Sequence, residues 1–199
     1  MAIKLKDGEA VFLTKHSDTP LDTISVRLNW GVLESDDNYF SNEEIKKMDL
    51  DIGCMYKLKN GETGSLQALG ERFGSFEKSP YIHIDGDDTT GEVETGENIR
   101  INGSYISEIE KVLVYAYIYK GAINWQQTNA SVSIECPGIE DIVVEMDDYN
   151  TTYKICALIM LENVDDTTFI AKKIFKFYEN HQSMDNAFNW GAKWAITEK

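Results

Sequence analysis

KVLVYAYIY, residues 111–119, is apolar on both faces of an alternating pattern. Most of its residues are β-branched or aromatic, the composition of a central strand covered on both sides. Period-two alternation continues outward in both directions. On the N-terminal side NIRI (98–101) and YIHI (81–84) are short strands around an acidic loop, and a second Asn-Gly follows at 102–103. Leu50, Ile52, Cys54, Tyr56 and Leu58 share one strand face and lead into Asn60-Gly61, a strong hairpin signal. Further back, ISVRLNW (24–30) places Ile24, Val26, Leu28 and Trp30 on one face. On the C-terminal side SVSIEC (131–136), DIVVEM (141–146), TYKICALIML (152–161) and TTFIAKKIFKFY (167–178) supply further strands.

Helical signals are sparse. SNEEIKKM (41–48) is predicted to make a turn or two, and SMDNAFNWG (183–191) a short helix capped by Ser183 and stopped by Gly191. GETGSLQALG (61–70) lacks a P-loop lysine and reads as a loop after the hairpin. No linker, repeat or low-complexity tract divides the chain. The expectation is therefore one domain over 1–199, all-β, an antiparallel β-sandwich of two packed sheets with one or two short helices.

The 199 residues carry a formal charge of −15, with three arginines (Arg27, Arg72, Arg100) among the basic residues. No stripe of Lys and Arg is present to follow a phosphate backbone, and anionic membranes would repel the chain. The expectation is no nucleic-acid partner and no direct membrane insertion. Cys54, Cys136 and Cys156 form no CxxC and sit in or beside apolar stretches, as reduced, buried cysteines do. With no apolar signal core at the N-terminus, the predicted location is cytoplasmic.

The chemistry lies in the carboxylates. DGDDTTGEVETGE (85–97) places Asp85, Asp87, Asp88, Glu92, Glu94 and Glu97 among three glycines with no basic residue. A hard cation such as Ca2+ takes roughly 6–8 oxygens and would offset the repulsion of such a loop. An EF-hand does not fit: from Asp85, the required glycine (Gly91) and the closing acid (Glu97) each fall one place late, and strands flank the loop. By itself an acidic loop is more often a solvated turn. MDLDIG (48–53) shifts that balance, because Asp49 and Asp51 share one face of a strand whose other face holds Leu50 and Ile52. Aspartate is disfavoured in strands, and a cation shared with the loop accounts for the pair better than a solvated face does. Magnesium would prefer fewer carboxylates together with phosphates, and His16, His83 and His181 show no zinc spacing. His83 either donates a hydrogen bond near the acidic loop or simply tops a strand. Phe188, Trp190 and Trp194 either pack on the sandwich or form a patch for a partner.

YIHIDGDDTTG (81–91), GENIRING (96–103), IEKVLVYAYIY (109–119) and MDNAFNWGAKW (184–194), with MDLDIG as a DLD-type strand, together resemble the TerD/TerA domain family of tellurium-resistance proteins. The resemblance runs from about Ile24 to the C-terminus and is nearer to the TerA-type branch. It implies a calcium-binding β-sandwich of bacteria or their phages, associated with resistance to tellurite, phage infection and other stresses, with no catalytic reaction of its own. Its partners would be calcium and other proteins of a stress-response complex. Carried over by position, Asp49 and Asp51 match the DLD pair, Asp87 and Asp88 the acidic step of the loop, and Glu97 its end. Asp85 and Glu94 are further candidate ligands. Where the TerD branch has a longer Gly- and Asp-rich loop end, this chain has only GEVETGEN, which favours one ion over two. The alternative is a hydrolase or ligand-modifying enzyme in which the same metal activates water. GxSxG, P-loop, HExxH and GxGxxG motifs are all missing from the sequence.

Overall fold

The computed structural model describes residues 2–14, 21–30, 48–86, 96–121, 125, 128–146, 151–192 and 194. The strands in chain order are β1 (Ile3–Lys4), β2 (Ala10–Phe12), β3 (Thr23–Asn29), β4 (Asp49–Leu58), β5 (Thr63–Gln67), β6 (Gly74–Ser75) and β7 (Ile82–Ile84). They continue with β8 (Glu97–Asn102), β9 (Ile109–Lys120), β10 (Ser131–Glu135), β11 (Ile142–Glu145), β12 (Ile155–Val164) and β13 (Thr168–Tyr178), and helix α1 spans His181–Phe188.

Among the described residues these strands make two sheets, a seven-stranded one ordered β1-β11-β10-β3-β8-β7-β6 and a six-stranded one ordered β2-β13-β12-β9-β4-β5. The fold is a β-sandwich, as the alternation predicts. Ile24, Val26, Leu28, Ile82, Ile84, Ile99 and Ile101 of the first sheet are fully buried against Leu50, Ile52, Cys54, Val112, Val114, Ala116 and Leu158 of the second. Each such Ile, Leu or Val side chain contributes about 1.5–3 kcal/mol by leaving water. All three cysteines are free and buried. Burial pushes the Cys54 thiol up to about 12, although a backbone hydrogen bond at Leu66 opposes the shift.

β9 is the centre of the six-stranded sheet, flanked by β12 and β4. Its second face is covered too. Met55, Leu113, Tyr115, Tyr117, Ile155, Ala157 and Met160 form a separate apolar cluster under Met184 of α1 and Trp190 beyond it. Phe188, Trp190 and Trp194 therefore pack on the sandwich. Trp190 donates its indole N–H to the Tyr56 carbonyl at 2.9 Å and carries the Lys111 ammonium 4.8 Å from its ring centroid.

Four local readings change. Thr63–Gln67 is a strand, not a loop, pairing antiparallel with β4 from Gly53↔Gln67 to Lys57↔Thr63. Two glycines make room for rings here: a Cβ on Gly53 would stand 2.5 Å from Tyr115 Cζ, and one on Gly64 would stand 2.4 Å from the Tyr56 hydroxyl. β1 pairs parallel with β11, since the long chain between them supplies the crossover that a parallel pair needs. The other described pairings are antiparallel. Asn102 caps a 3-10 segment, Gly103–Glu108, rather than making a hairpin. Helix α1 begins earlier than Ser183. Asn180 is its cap, and Ser183 closes a reciprocal capping box with it. The helix predicted from SNEEIKKM lies outside the described residues except for Met48.

Candidate metal site

β4 brings Asp49 and Asp51 into the interior, where they are 1 % and 0 % exposed. Alternation alone places them opposite Leu50 and Ile52, on a face that a two-layer sandwich would leave solvated. Here that face is the one covered by α1 and the following chain. β9 lies alongside, and its register sets Asp51 opposite Tyr117.

Glu97 arrives from the other sheet. It opens β8, is 1 % exposed, and belongs to the inward-facing row with Ile99 and Ile101. The hairpin partner β5 stops at Gln67 opposite Gly53, so it does not reach the Ile52 amide on the same edge of β4. Glu97 takes that place: its Oε2 accepts the Ile52 N–H at 2.6 Å. A charge-assisted bond to a buried amide is among the stronger hydrogen bonds, and this one ties the two sheets together. Gly96 makes the approach possible. Its φ is +57°, and a Cβ there would stand 2.1 Å from the Leu28 carbonyl oxygen.

Tyr117 marks where these carboxylates converge. Its phenol is pushed far above its ordinary value, first by burial and then by the charges of Asp51, Tyr115 and Glu97. The hydroxyl lies against the Asp51 carboxylate, which adds to the upward shift. Sequence reading passed over Tyr117, because it is one of eight aromatic or aliphatic residues in the run 112–119 and only the β4–β9 register sets it apart.

Asp85 goes elsewhere. Ile84 and Ile99 pair with both side chains inward, so Asp85, one residue on, turns to the opposite face of the sheet from Glu97. There the Arg100 Nε approaches its carboxylate at 2.6 Å, His83 Nδ1 lies 3.0 Å from Oδ1, and the Asn98 amide donates to Oδ2 at 3.0 Å. Partial burial would raise this carboxyl, but the hydrogen bonds from Arg100 and His83 and the Arg100 charge outweigh it and hold the acid below its ordinary value. Asp87, Asp88 and Glu94 lie outside the described residues. Among the described residues, no three His, Cys, Asp or Glu side chains gather into a metal-holding group.

The structure thus brings together Asp51 and Glu97, with Asp49 two residues along the same face. The donors are carboxylate oxygens, which suit a hard divalent cation. No described helix is long and apolar enough to cross a membrane.

Comparison with known proteins gives the following. No family model matches the chain. Over 204 aligned residues it is 34 % identical to the tellurium resistance protein TerA of an Alcaligenes species, covering 98 % of this chain and 57 % of that protein. The chain thus spans little more than half the length of this curated relative. A crystal structure of a protein of unknown function superposes with a TM-score of 0.54 at 13 % identity, over 84 % of this chain and 95 % of the other. A Streptomyces coelicolor homologue of the telluride resistance protein TerD superposes with a TM-score of 0.53 at 15 % identity, over 87 % and 99 %. At these identities the structural likeness is one of fold.

Proposed function

The chain belongs to the TerA/TerD family of tellurium-resistance proteins, and on that premise we propose that it is a calcium-binding, non-enzymatic protein of a cytoplasmic stress response. It acts through interactions with other proteins that calcium stabilises. The observation that carries the reading is Glu97 crossing from one sheet to the Ile52 amide of the other, beside Asp51, so that buried carboxylates of two layers both act on Tyr117. Asp49, Asp51 and Glu97 would hold the ion. Asp87, Asp88 and Glu94 belong to the connection that leaves the described chain after Gly86 and re-enters at Gly96, next to Glu97, and are the candidates to complete the shell. Asp85, held by Arg100 on the outer face of its sheet, stands at the start of that connection as a further candidate.

Calcium takes oxygen donors in variable number, and buried carboxylates supply them. Bound at this place it would lock β4, β8 and the 86–96 connection together, and so link ion concentration to the shape presented to a partner. Binding to the folded form alone stabilises it by about 2.7 kcal/mol at one hundred times Kd.

The test is calorimetric titration of the chelator-stripped chain with calcium, with magnesium as control, for the wild type and Asp51→Asn. Saturable calcium binding that magnesium does not match, weakened at least roughly tenfold (about 1.4 kcal/mol) in the variant, is expected. Unchanged affinity in Asp51→Asn would remove Asp51 from the site, and no calcium heat in the wild type would end the calcium reading.

A further inference from the structure

The two outer faces of the sandwich differ. That of the six-stranded sheet lies under Met184 and Trp190, whereas the outward residues of β3, β8 and β10 in the seven-stranded sheet are half-buried and polar. Strand register sorts the side chains of this second face into two cross-strand rows. In the first, His83, Arg100, Ser25 and Glu135 stand opposite one another along β7, β8, β3 and β10. In the second, Asp85, just past β7, is followed by Asn98, Arg27 and Ser133. Two of the chain's three arginines therefore lie on neighbouring strands at the centre of the face. Each pairs with a carboxylate at the flank, Arg100 with Asp85 at 2.6 Å and Arg27 with Glu135 at 3.3 Å. All four of these side chains are between 31 % and 38 % exposed.

The charges of these two rows cancel, on a chain whose formal charge is −15. Two copies repel wherever their acidic surfaces approach, and these rows carry no excess of either sign. The pattern is also its own complement. When a second copy is turned over about an axis along the strands, midway between β3 and β8, Glu135 meets the partner's His83 and Asp85 the partner's Ser133. Arg100 then meets the partner's Ser25, and Arg27 the partner's Asn98. Turned instead about the axis across the strands, His83 meets the partner's Asp85 and Glu135 the partner's Ser133, with the arginines again opposite Ser25 and Asn98. Like charges face each other in neither arrangement. Both keep the strand directions aligned, as packed sheets require.

We propose that the outer face of the seven-stranded sheet is a self-association surface, on which a second copy of this chain lies face to face across β3, β8 and β10. The proposal is independent of the calcium reading. Four strands about 4.8 Å apart, each with four outward residues about 6.8 Å apart, cover on the order of 500 Å2 per copy. That is below the roughly 800 Å2 per partner of a standard interface, so the dimer is weak and reversible. Its contacts are polar, and its specificity comes from charge placement more than from buried apolar area.

Sedimentation velocity of the full chain tests this at about 0.15 M salt, where charges more than about 8 Å apart are screened and contacting pairs are not. Over roughly 10–300 µM the wild type is expected to pass reversibly from monomer to dimer. Ser133 faces a carboxylate of the partner in both arrangements, and the two-fold axis makes each contact occur twice. Ser133→Lys should therefore tighten the dimer and Ser133→Glu weaken it, each by roughly fivefold. Ser25 faces an arginine in both, so Ser25→Arg should weaken the dimer to a similar degree. Circular dichroism melting checks that each variant is folded, and Ser133 and Ser25 serve as independent probes should one of them fail. A wild type that stays monomeric to the highest concentration overturns the proposal. A dimer whose strength is indifferent to all three substitutions uses another surface and overturns it equally.

Discussion

Replacing His181 by phenylalanine should remove an acid sensitivity that the wild-type chain carries between about pH 6.5 and 4. The imidazole is pushed down from 6.5 to about 4 by burial, which disfavours its charged form. Facing it are the Tyr115 and Tyr117 phenols of β9, both pushed upward chiefly by burial, and the Trp194 ring, with Asp185 one turn along the helix. The folded value lies below the unfolded one, so the unfolded or undocked chain binds the extra proton first. Stability is therefore lost as pH falls through 6.5, and the loss levels off near 4. Two and a half pH units at about 1.36 kcal/mol each give roughly 3 kcal/mol as an upper limit, because the ring is only partly buried and water screens it. Urea unfolding at a series of pH values from 7 to 4, followed by circular dichroism, measures this. Phenylalanine preserves the ring contacts with Tyr115, Tyr117 and Trp194 while removing the titration. The carboxylates common to both chains cancel in the difference between the two curves. An identical pH slope for wild type and His181→Phe would refute the assignment.

Two further outcomes are expected. Gly96→Ala places a methyl against the Leu28 carbonyl at a left-handed backbone position, and should lower stability by about 2–4 kcal/mol; an unchanged calorimetric Tm would contradict that geometry. Asp85→Asn breaks the Arg100 pair on the outer face and should cost about 1 kcal/mol or less while leaving calcium affinity within roughly threefold; a tenfold loss in calorimetry would place Asp85 among the ligands after all.

The sandwich was legible because alternation is a local property. A strand half-buried in a sheet writes its burial into every second residue, so ISVRLNW and the Leu50–Leu58 row could be read without knowing their neighbours. Tyr115 and Tyr117 within KVLVYAYIY likewise announced a strand covered on both faces, though not by what. β5 was harder. Gly64 lies beneath the Tyr56 ring, and nothing in GETGSLQALG records the ring that fills the space above it. Asn180 was missed as the cap because Asn and Ser, three residues apart, cap each other and look alike from one side.

The same division runs through the site. The sequence by itself marked Asp49, Asp51 and Glu97 as carboxylates out of place, since strands disfavour aspartate and like charges repel wherever the chain goes. That Asp85 turns to Arg100 on the opposite face, that Glu97 reaches Ile52 where β5 falls short, and that Tyr117 lies between Asp51 and His181 were decided only by tertiary structure. Those contacts join residues distant in sequence through strand register and sheet packing. A one-residue shift in register would exchange the faces without altering a letter of the local pattern.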